Sequence, residues 1–505
     1  MIFLKKKQLF ILNTIILTIT SFFLRGIGMS FNVYVTNKIG ATSMGVYQLI
    51  ISLYAFFITL SNFGISFATT RIVAENISKG NKKCATLAVR LCLLFSLITS
   101  IISVVFIFIF GKILSNIILH DEIYRYPIYI LAITLPFVSI AATINGYFTA
   151  KRKAYKNAIS QIIEQFFQII IVYFILAIFM PKEPIYSAIA LGIASLASEI
   201  CSFLYIFISY VIEIKKEKKD NLLCECTSKK EIIKNINHIA VPVAITSCIR
   251  SFLVTIKNSL IPIGLKKSGM SYDDALAKYG IINAIALPLL LFPSVFVNSF
   301  SNLLMPEFSR YMAKNDYNKM RIVINKIFKI TLLFSCFIIF LFLIFADDIC
   351  SIIYKSKETS IYVKILAPML IVTYLDTIVD SMLRGIDEQV SVMKVNILDL
   401  FISIFLIYFM LPKIGIIGYI LVIYISEFLN STLSIKKLMK KVKVKFKLFD
   451  WIIKPCFAGL LTTKILSLLS NQVTFSIYTK LILYTLLFFC FIFLLSCLKK
   501  EDLKI

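Results

Sequence analysis

Apolar runs of roughly 20 residues or more recur along this chain from one end to the other, each closed by a short polar break. A bilayer core asks for about 20 apolar residues per crossing helix. The breaks place helices at 9–35, 42–68, 84–110, 124–148, 157–180, 185–213, 236–262, 276–304, 322–346, 360–384, 391–411, 416–438, 450–469 and 475–498. The pattern therefore predicts an all-α integral membrane protein of about fourteen transmembrane helices. The first run follows Lys5 to Lys7 as a signal peptide would, but it continues past Arg25 with no small-residue cleavage site, and it reads as a first membrane helix. Pro242, Pro288, Pro293, Pro368 and Gly64 fall inside predicted helices, where a kink is expected.

Composition agrees with this reading. Hydrophobic residues are 59% of the 505 and charged residues 16%, against about 45–50% and about 25% in soluble domains. The formal net charge is +27. Its basic residues lie in short clusters between apolar runs, as in cytoplasmic loops, which argues against a nucleic-acid partner. With alternate breaks assigned to opposite sides, 35 Lys and Arg fall on the side of the N-terminus and 11 on the other. The positive-inside rule then predicts a plasma-membrane protein with both termini cytoplasmic. Eleven Cys are scattered, mostly in apolar stretches, and Cys224 with Cys226 forms a C-x-C without zinc-site spacing, so these read as free thiols.

The chain also repeats. An offset of 235 aligns ILAITLPF from Ile130 with ILAPMLIV from Ile365, runs on through Phe166/Phe401 and Tyr173/Tyr408, and pairs Gly45 with Gly280 and Asn81 with Asp316. Six helices per repeat is an even number, so two parallel six-helix lobes around a central cavity are expected. The boundaries are 1–214 for the first lobe, 215–234 for a basic cytoplasmic linker, 235–447 for the second lobe, and 448–505 for two C-terminal helices with a basic tail.

Charges inside such helices are functional candidates, since each costs about 2.5–3.5 kcal/mol on insertion scales. Arg25 lies in helix 1, and Arg250 in helix 7 shares a related context, with Lys257 seven residues further on the same face. They are expected at similar depth, facing one cavity, as a site for an anionic head group. The alternative is that each pairs with a carboxylate such as Glu164 or Glu427 and only ties helices together. The other intramembrane acids are Glu199, Asp376, Asp380 and Asp399. Asn396 stands about one turn before Asp399, an arrangement suited to a coupling Na+ or H+, or equally to an ion pair or a helix–helix hydrogen bond. No nucleotide, metalloprotease or nucleophile motif occurs, and His120 and His238 are the only histidines, so no enzymatic activity, metal site or cofactor is expected.

SFFLRGIGMSFNVYVTNKIGATSMGVYQLIISLY from Ser21, SNFGISFATTRIVAENISKGN from Ser61, GYFTAKRKAYKNAISQIIEQF from Gly146 and GLKKSGMSYDDALAKYG from Gly264 resemble the polysaccharide-exporter branch of the multidrug/oligosaccharidyl-lipid/polysaccharide exporter superfamily, in its sporulation subgroup. The resemblance implies a two-lobed flippase for undecaprenyl-linked saccharides, here a peptidoglycan precursor for spore cortex synthesis, with Arg25 on a cavity arginine. Its partners would be an anionic polyprenyl-linked saccharide lipid, membrane lipids and cell-wall synthesis proteins. Two rivals stand beside it: a multidrug cation antiporter of the same fold, which would want carboxylates and aromatics in its cavity, and a non-transporting scaffold for cell-wall synthesis.

Overall fold

A computed structural model describes residues 2–79, 81–178, 183–217, 229–443, 449–472, 476–495 and 497. Among these residues there is no β-strand, and nearly all are helical. Lipid offers the backbone no hydrogen-bond partner, so a chain this apolar satisfies its N–H and C=O groups within helices. Cys224, Cys226, most of the 215–234 linker and the basic tail lie outside the described residues.

Among the described residues, twelve segments are long and apolar enough to cross a membrane. Two of them, Phe22–Ser78 and Gln389–Val442, run for 57 and 54 residues, whereas about 20 suffice for one crossing. Each contains a glycine in a conformation closed to L side chains: Gly40 (φ 81°, ψ 168°) in α1 (Ile2–Asn62) and Gly415 (φ 56°, ψ −132°) further along the chain. The helices expected at 9–35 and 42–68, and at 391–411 and 416–438, are therefore joined in pairs through these two bends. α2 (Ile65–Ser78) continues α1 past Gly64 (φ 67°). There follow α3 (Lys82–Leu119), α4 (Arg125–Ala132), α5 (Leu135–Ala150), α6 (Tyr155–Ile178), α7 (Pro184–Glu217) and α8 (Lys229–Lys267). On α3, Ile98, Ile102 and Ile109 are 57%, 61% and 66% exposed, a face that only lipid would cover.

The helix expected at 276–304 is instead broken into α9 (Tyr272–Gly280), a π-helical turn over Ile281–Ala286, α10 (Leu287–Leu291) and α11 (Ser294–Ala313). Pro288 and Pro293 stand at the starts of the last two pieces, where a missing N–H costs least. The chain ends with α12 (Tyr317–Ile353), α13 (Lys357–Leu366), α14 (Leu370–Gly385), α15 (Gln389–Val442), α16 (Lys454–Gln472) and α17 (Ile477–Leu494).

The chain divides into two compact units, Met1–Lys266 with Met270–Gly280, and Lys267–Gly269 with Ile281–Ile505. In the first, Val73, Val89, Ile144, Tyr147, Phe148 and Ile206 build a core from α2, α3, α5 and α7. α8 joins this unit through Ile232, Ile236 and Ala240, packed with Ile65, Ile72 and Cys92. In the second, α16 and α17 pack on α12 through Cys336, Phe345, Ala458, Tyr484, Phe488 and Ile492.

Within each unit the same architecture recurs in the 235 register. α3 begins after Asn81 (φ −85°, ψ 71°) and α12 after Asp316 (φ −87°, ψ 68°), and they end at His120 (φ 54°) and Lys355 (φ 52°). Arg152 (φ 59°) and Asp387 (φ 63°) turn the chain after α5 and α14. The packing of α2 on α5 has an analogue displaced by one helical turn from that register, at an offset of 239. Thr70 Oγ1 donates to Gly146 O at 3.2 Å between α2 and α5, and Ser309 Oγ donates to Gly385 O at 2.9 Å between α11 and α14.

A Cβ on Gly146 would lie 2.6 Å from Ser66 O, one on Gly385 would lie 2.6 Å from Met305 O, and one on Gly26 would meet nothing within 4 Å. Gly146→Val and Gly385→Val are each expected to cost about 1–3 kcal/mol by overpacking. Gly26→Val should cost less, and thermal unfolding of the purified protein in detergent checks the ranking. At the turn into α15, Ser391, Lys441 (3.0 Å) and Lys437 (3.3 Å) hold the Glu388 carboxyl down at about 2. A depressed carboxyl stabilises the fold above its unfolded value, about 4.3, and that contribution fades as pH falls from about 4 to about 2. The unfolding midpoint of Glu388→Gln should accordingly fall less than that of the unsubstituted protein across this window.

Candidate functional site

The basic candidates all lie in the first unit, on two different helices. Arg25 is exposed on the part of α1 before Gly40. That part is tied to α6, where Gln165 Nε2 donates to Leu24 O at 2.9 Å and the Tyr34 and Tyr173 rings lie 5.8 Å apart. Gly28 makes room for this contact, since a Cβ there would sit 2.8 Å from Gln165 Nε2. Glu164 precedes Gln165 and is half-buried, within electrostatic reach of Glu199 on α7.

Arg250 is exposed and Lys257 half-buried on α8. α8 packs against the part of α1 beyond Gly40: Thr255 Oγ1 donates to Ser52 O and Asn258 Nδ2 to Ser52 Oγ, both at 3.0 Å, and the Phe252 and Phe56 rings lie 5.6 Å apart. Neither Arg250 nor Lys257 has an ion-pair partner among the described residues. Pairing with Glu164 or Glu427 therefore does not account for these two. The repeat register also separates the arginines, because Arg25 corresponds to Leu260, not to Arg250. Ten residues of helix is about 15 Å, so the expectation of similar depth does not follow from the repeat.

The acidic candidates of the second unit converge on the seam between α14 and α15. Asp399, only 9% exposed, accepts from Ser426 Oγ at 2.7 Å, and Ser403 Oγ donates to Ser426 at 3.1 Å. Asn430 Nδ2 lies 3.1 Å from Asn396 Oδ1 and 3.4 Å from Asp376 Oδ2. Thr373 Oγ1 donates to Glu427 Oε2 at 2.9 Å, and Asp380 has Ser434 Oγ at 3.5 Å and Arg384 at 3.8 Å. Asp376 Oδ1 and Asn430 Oδ1 are buried without a hydrogen-bond partner.

Four carboxylates thus share one seam with hydroxyls and amides. Taken all ionised, such a group calls for cations or protons, because like charges in low dielectric oppose one another. Carboxylate, amide and hydroxyl oxygens are hard ligands of the kind that Na+ or a proton accepts. Among the described residues no three His, Cys, Asp or Glu side chains converge as a metal site would require, so a bound cation would draw its other ligands from Asn396, Asn430 and Ser426.

Sequence reasoning found Asp376, Asp380, Asn396 and Asp399 but not Thr373, Ser426, Asn430 or Ser434. A signal existed. Ser426, Asn430 and Ser434 recur every four residues, as a polar stripe on one face of an apolar helix.

A family described as polysaccharide biosynthesis protein matches residues 10–312, and one described as MatE matches 242–409. Stage V sporulation protein B of Bacillus subtilis (strain 168) is 23% identical over 448 residues, covering 88% of this chain and 86% of that one. Lipid II flippase MurJ of the same organism is 23% identical over 217 residues, 41% of this chain and 39% of that one. Among solved structures, the lipid II flippase MurJ in an inward closed conformation superposes with TM-score 0.72 at 16% identity, covering 94% of this chain and 98% of that one. An inward-facing multidrug resistance MATE family transporter of the MOP superfamily gives 0.66 at 14% identity, over 83% and 94%. The chain is a multi-pass membrane protein belonging to the polysaccharide biosynthesis protein family.

Proposed function

We propose that this protein is a flippase that carries an undecaprenyl-linked oligosaccharide, a peptidoglycan precursor for spore cortex synthesis, across the plasma membrane by alternating access. The observation that carries the reading is the pair Arg250 and Lys257, two cations on one face of a membrane helix with no ion-pair partner among the described residues. A positive charge in that setting calls for an anion. A pyrophosphate head group supplies one, with Arg250 able to grip two oxygens and Lys257 acting as a point charge. Arg25 is the third member of the proposed site. Likeness in sequence to Stage V sporulation protein B and to lipid II flippase MurJ supports the substrate class and the sporulation role.

Both termini are cytoplasmic in this reading, on the strength of the 35 to 11 distribution of basic residues. The lobes are 1–214 and 235–447, joined by the basic linker, with 448–505 appended. The protein moves its substrate without changing it covalently, and needs no cofactor beyond a coupling cation. For that cation the α14–α15 seam is the proposed site, with Asn396 and Asp399 as ligands and Asp376 and Asp380 beside them. A multidrug cation antiporter remains the rival on fold grounds, and the same seam is the observation that favours it.

The deciding experiment is transport in proteoliposomes of a fluorescent polyprenyl-pyrophosphate saccharide beside an organic cation. Flipping of the lipid without export of the cation supports the reading. Export of the cation alone favours the antiporter, and movement of neither favours a scaffold. Arg25→Ala and the double variant Arg250→Ala/Lys257→Ala should reduce flipping at least about tenfold, the loss of one strong charge-assisted contact, while inserting into the membrane as well as the parent. Full complementation of a null strain by Arg25→Ala removes that residue from the site. Asp399→Asn should leave lipid binding intact and abolish the response of flipping to a Na+ or H+ gradient. An unchanged gradient response would count against Asp399 as a ligand.

A further inference from the structure

Past the Gly40 bend, α1 meets α9 backbone to backbone. A Cβ on Gly45 would lie 2.2 Å from Leu276 O and 3.3 Å from Gly280 N, and one on Gly280 would lie 2.2 Å from Ala41 O and 2.9 Å from Gly45 N. In the 235 register Ala41 corresponds to Leu276 and Gly45 to Gly280. The contact is therefore its own image: the glycine of each helix presses on the carbonyl four residues before the glycine of the other. A local two-fold axis passes between Gly45 and Gly280, as at the centre of an isologous dimer interface.

Away from this point the same stretch of chain closes on α8 and then parts from it. Ser52 holds Thr255 and Asn258, Phe56 packs on Phe252, and a Cβ on Gly64 would come 2.7 Å from Ala240 O. Beyond Gly64, the end of α2 and the start of α8 diverge around a cavity of about 250 Å³ lined by Arg71, Glu75, Lys79, Glu231, Asn235 and His238. One pair of chain segments is thus sealed at its glycine end and open at its charged end.

We infer that Gly45 and Gly280 form a symmetric gate, whose backbone contact seals one end of the substrate path and parts once in each transport cycle. This rests on the flippase reading above. Three physical features suit the role. No side-chain hydrogen bond or ion pair joins the two glycines, so what holds them is dispersion and close carbonyl contact, with no charge left unpaired when they separate. Both carbonyls pressed upon, Ala41 O and Leu276 O, belong to residues within helices, so opening need not break the helical ladder. Finally, the contact is self-complementary, so moving either helix relieves both close approaches at once.

The test uses the full chain in proteoliposomes, with Leu276→Cys, at a position 2% exposed, as reporter for a membrane-impermeant maleimide. Background from native cysteines is subtracted with protein lacking the reporter. Adding Gly45→Val or Gly280→Val should speed labelling of the reporter about tenfold, the shift that overpacking of the closed form produces. Gly26→Val, with no atom to strike, should not. Equal labelling in the Gly45→Val and Gly26→Val backgrounds overturns the gate. Where the valine variants fail to fold, Ser52→Cys/Asn258→Cys decides: an oxidised cross-link should stop flipping at least about tenfold until reductant restores it, and flipping that continues through the cross-link overturns the proposal. Labelling does not depend on the substrate. A protein whose glycine variants expose the reporter but which moves no pyrophosphate lipid keeps the gate and loses the flippase reading.

Discussion

The absence of water from the hydrocarbon core governs this chain at every level. It forces the described backbone into helices, because an N–H or C=O without a partner costs several kcal/mol there. It lets Ile98, Ile102 and Ile109 stand exposed on α3. It also makes each buried charge a matter of accounting, since a cation or carboxylate that would be unremarked on a soluble surface must here find a counter-charge, a hydrogen bond or a ligand.

The two units meet that demand in different ways. In the second, carboxylates stand buried or half-buried beside hydroxyls and amides: Asp399 with Ser426, Glu427 with Thr373, Asp376 with Asn430. Such a seam suits positive charge and ties its helices together. In the first, Arg250 and Lys257 stand on α8 with no carboxylate drawn to either among the described residues. Such a face suits an anion.

Internal repetition gives this chemistry its frame. Helix starts at Asn81 and Asp316, left-handed ends at His120 and Lys355, and turns at Arg152 and Asp387 recur at one spacing, although few side chains are conserved between the halves. What the repeat preserves is backbone geometry, and Gly45 and Gly280, equivalent in the 235 register, press on each other's helix. The chemistry is repeated only in part: Arg25 answers to Leu260, whereas Asp399 answers to another carboxylate, Glu164.

Sequence alone determined the class, most of the apolar segments, the repeat and the list of intramembrane acids, because hydrophobic runs and intramembrane charges are local signals. The stripe at Ser426, Asn430 and Ser434 is present in the sequence but is not singled out there, since a serine in an apolar helix is too common to stand out without its partner. Tertiary structure decided what local signals cannot carry. It joined the helices through Gly40 and Gly415, broke the helix expected at 276–304 at Pro288 and Pro293, grouped α8 with the first unit, and brought Asn430 to Asp376 across 54 residues of chain. Above all, a glycine in a sequence states only that a Cβ is missing; that Gly45 and Gly280 fill that absence with each other's backbone depends on two helices more than 200 residues apart, a proximity set by packing and not by any pattern along the chain.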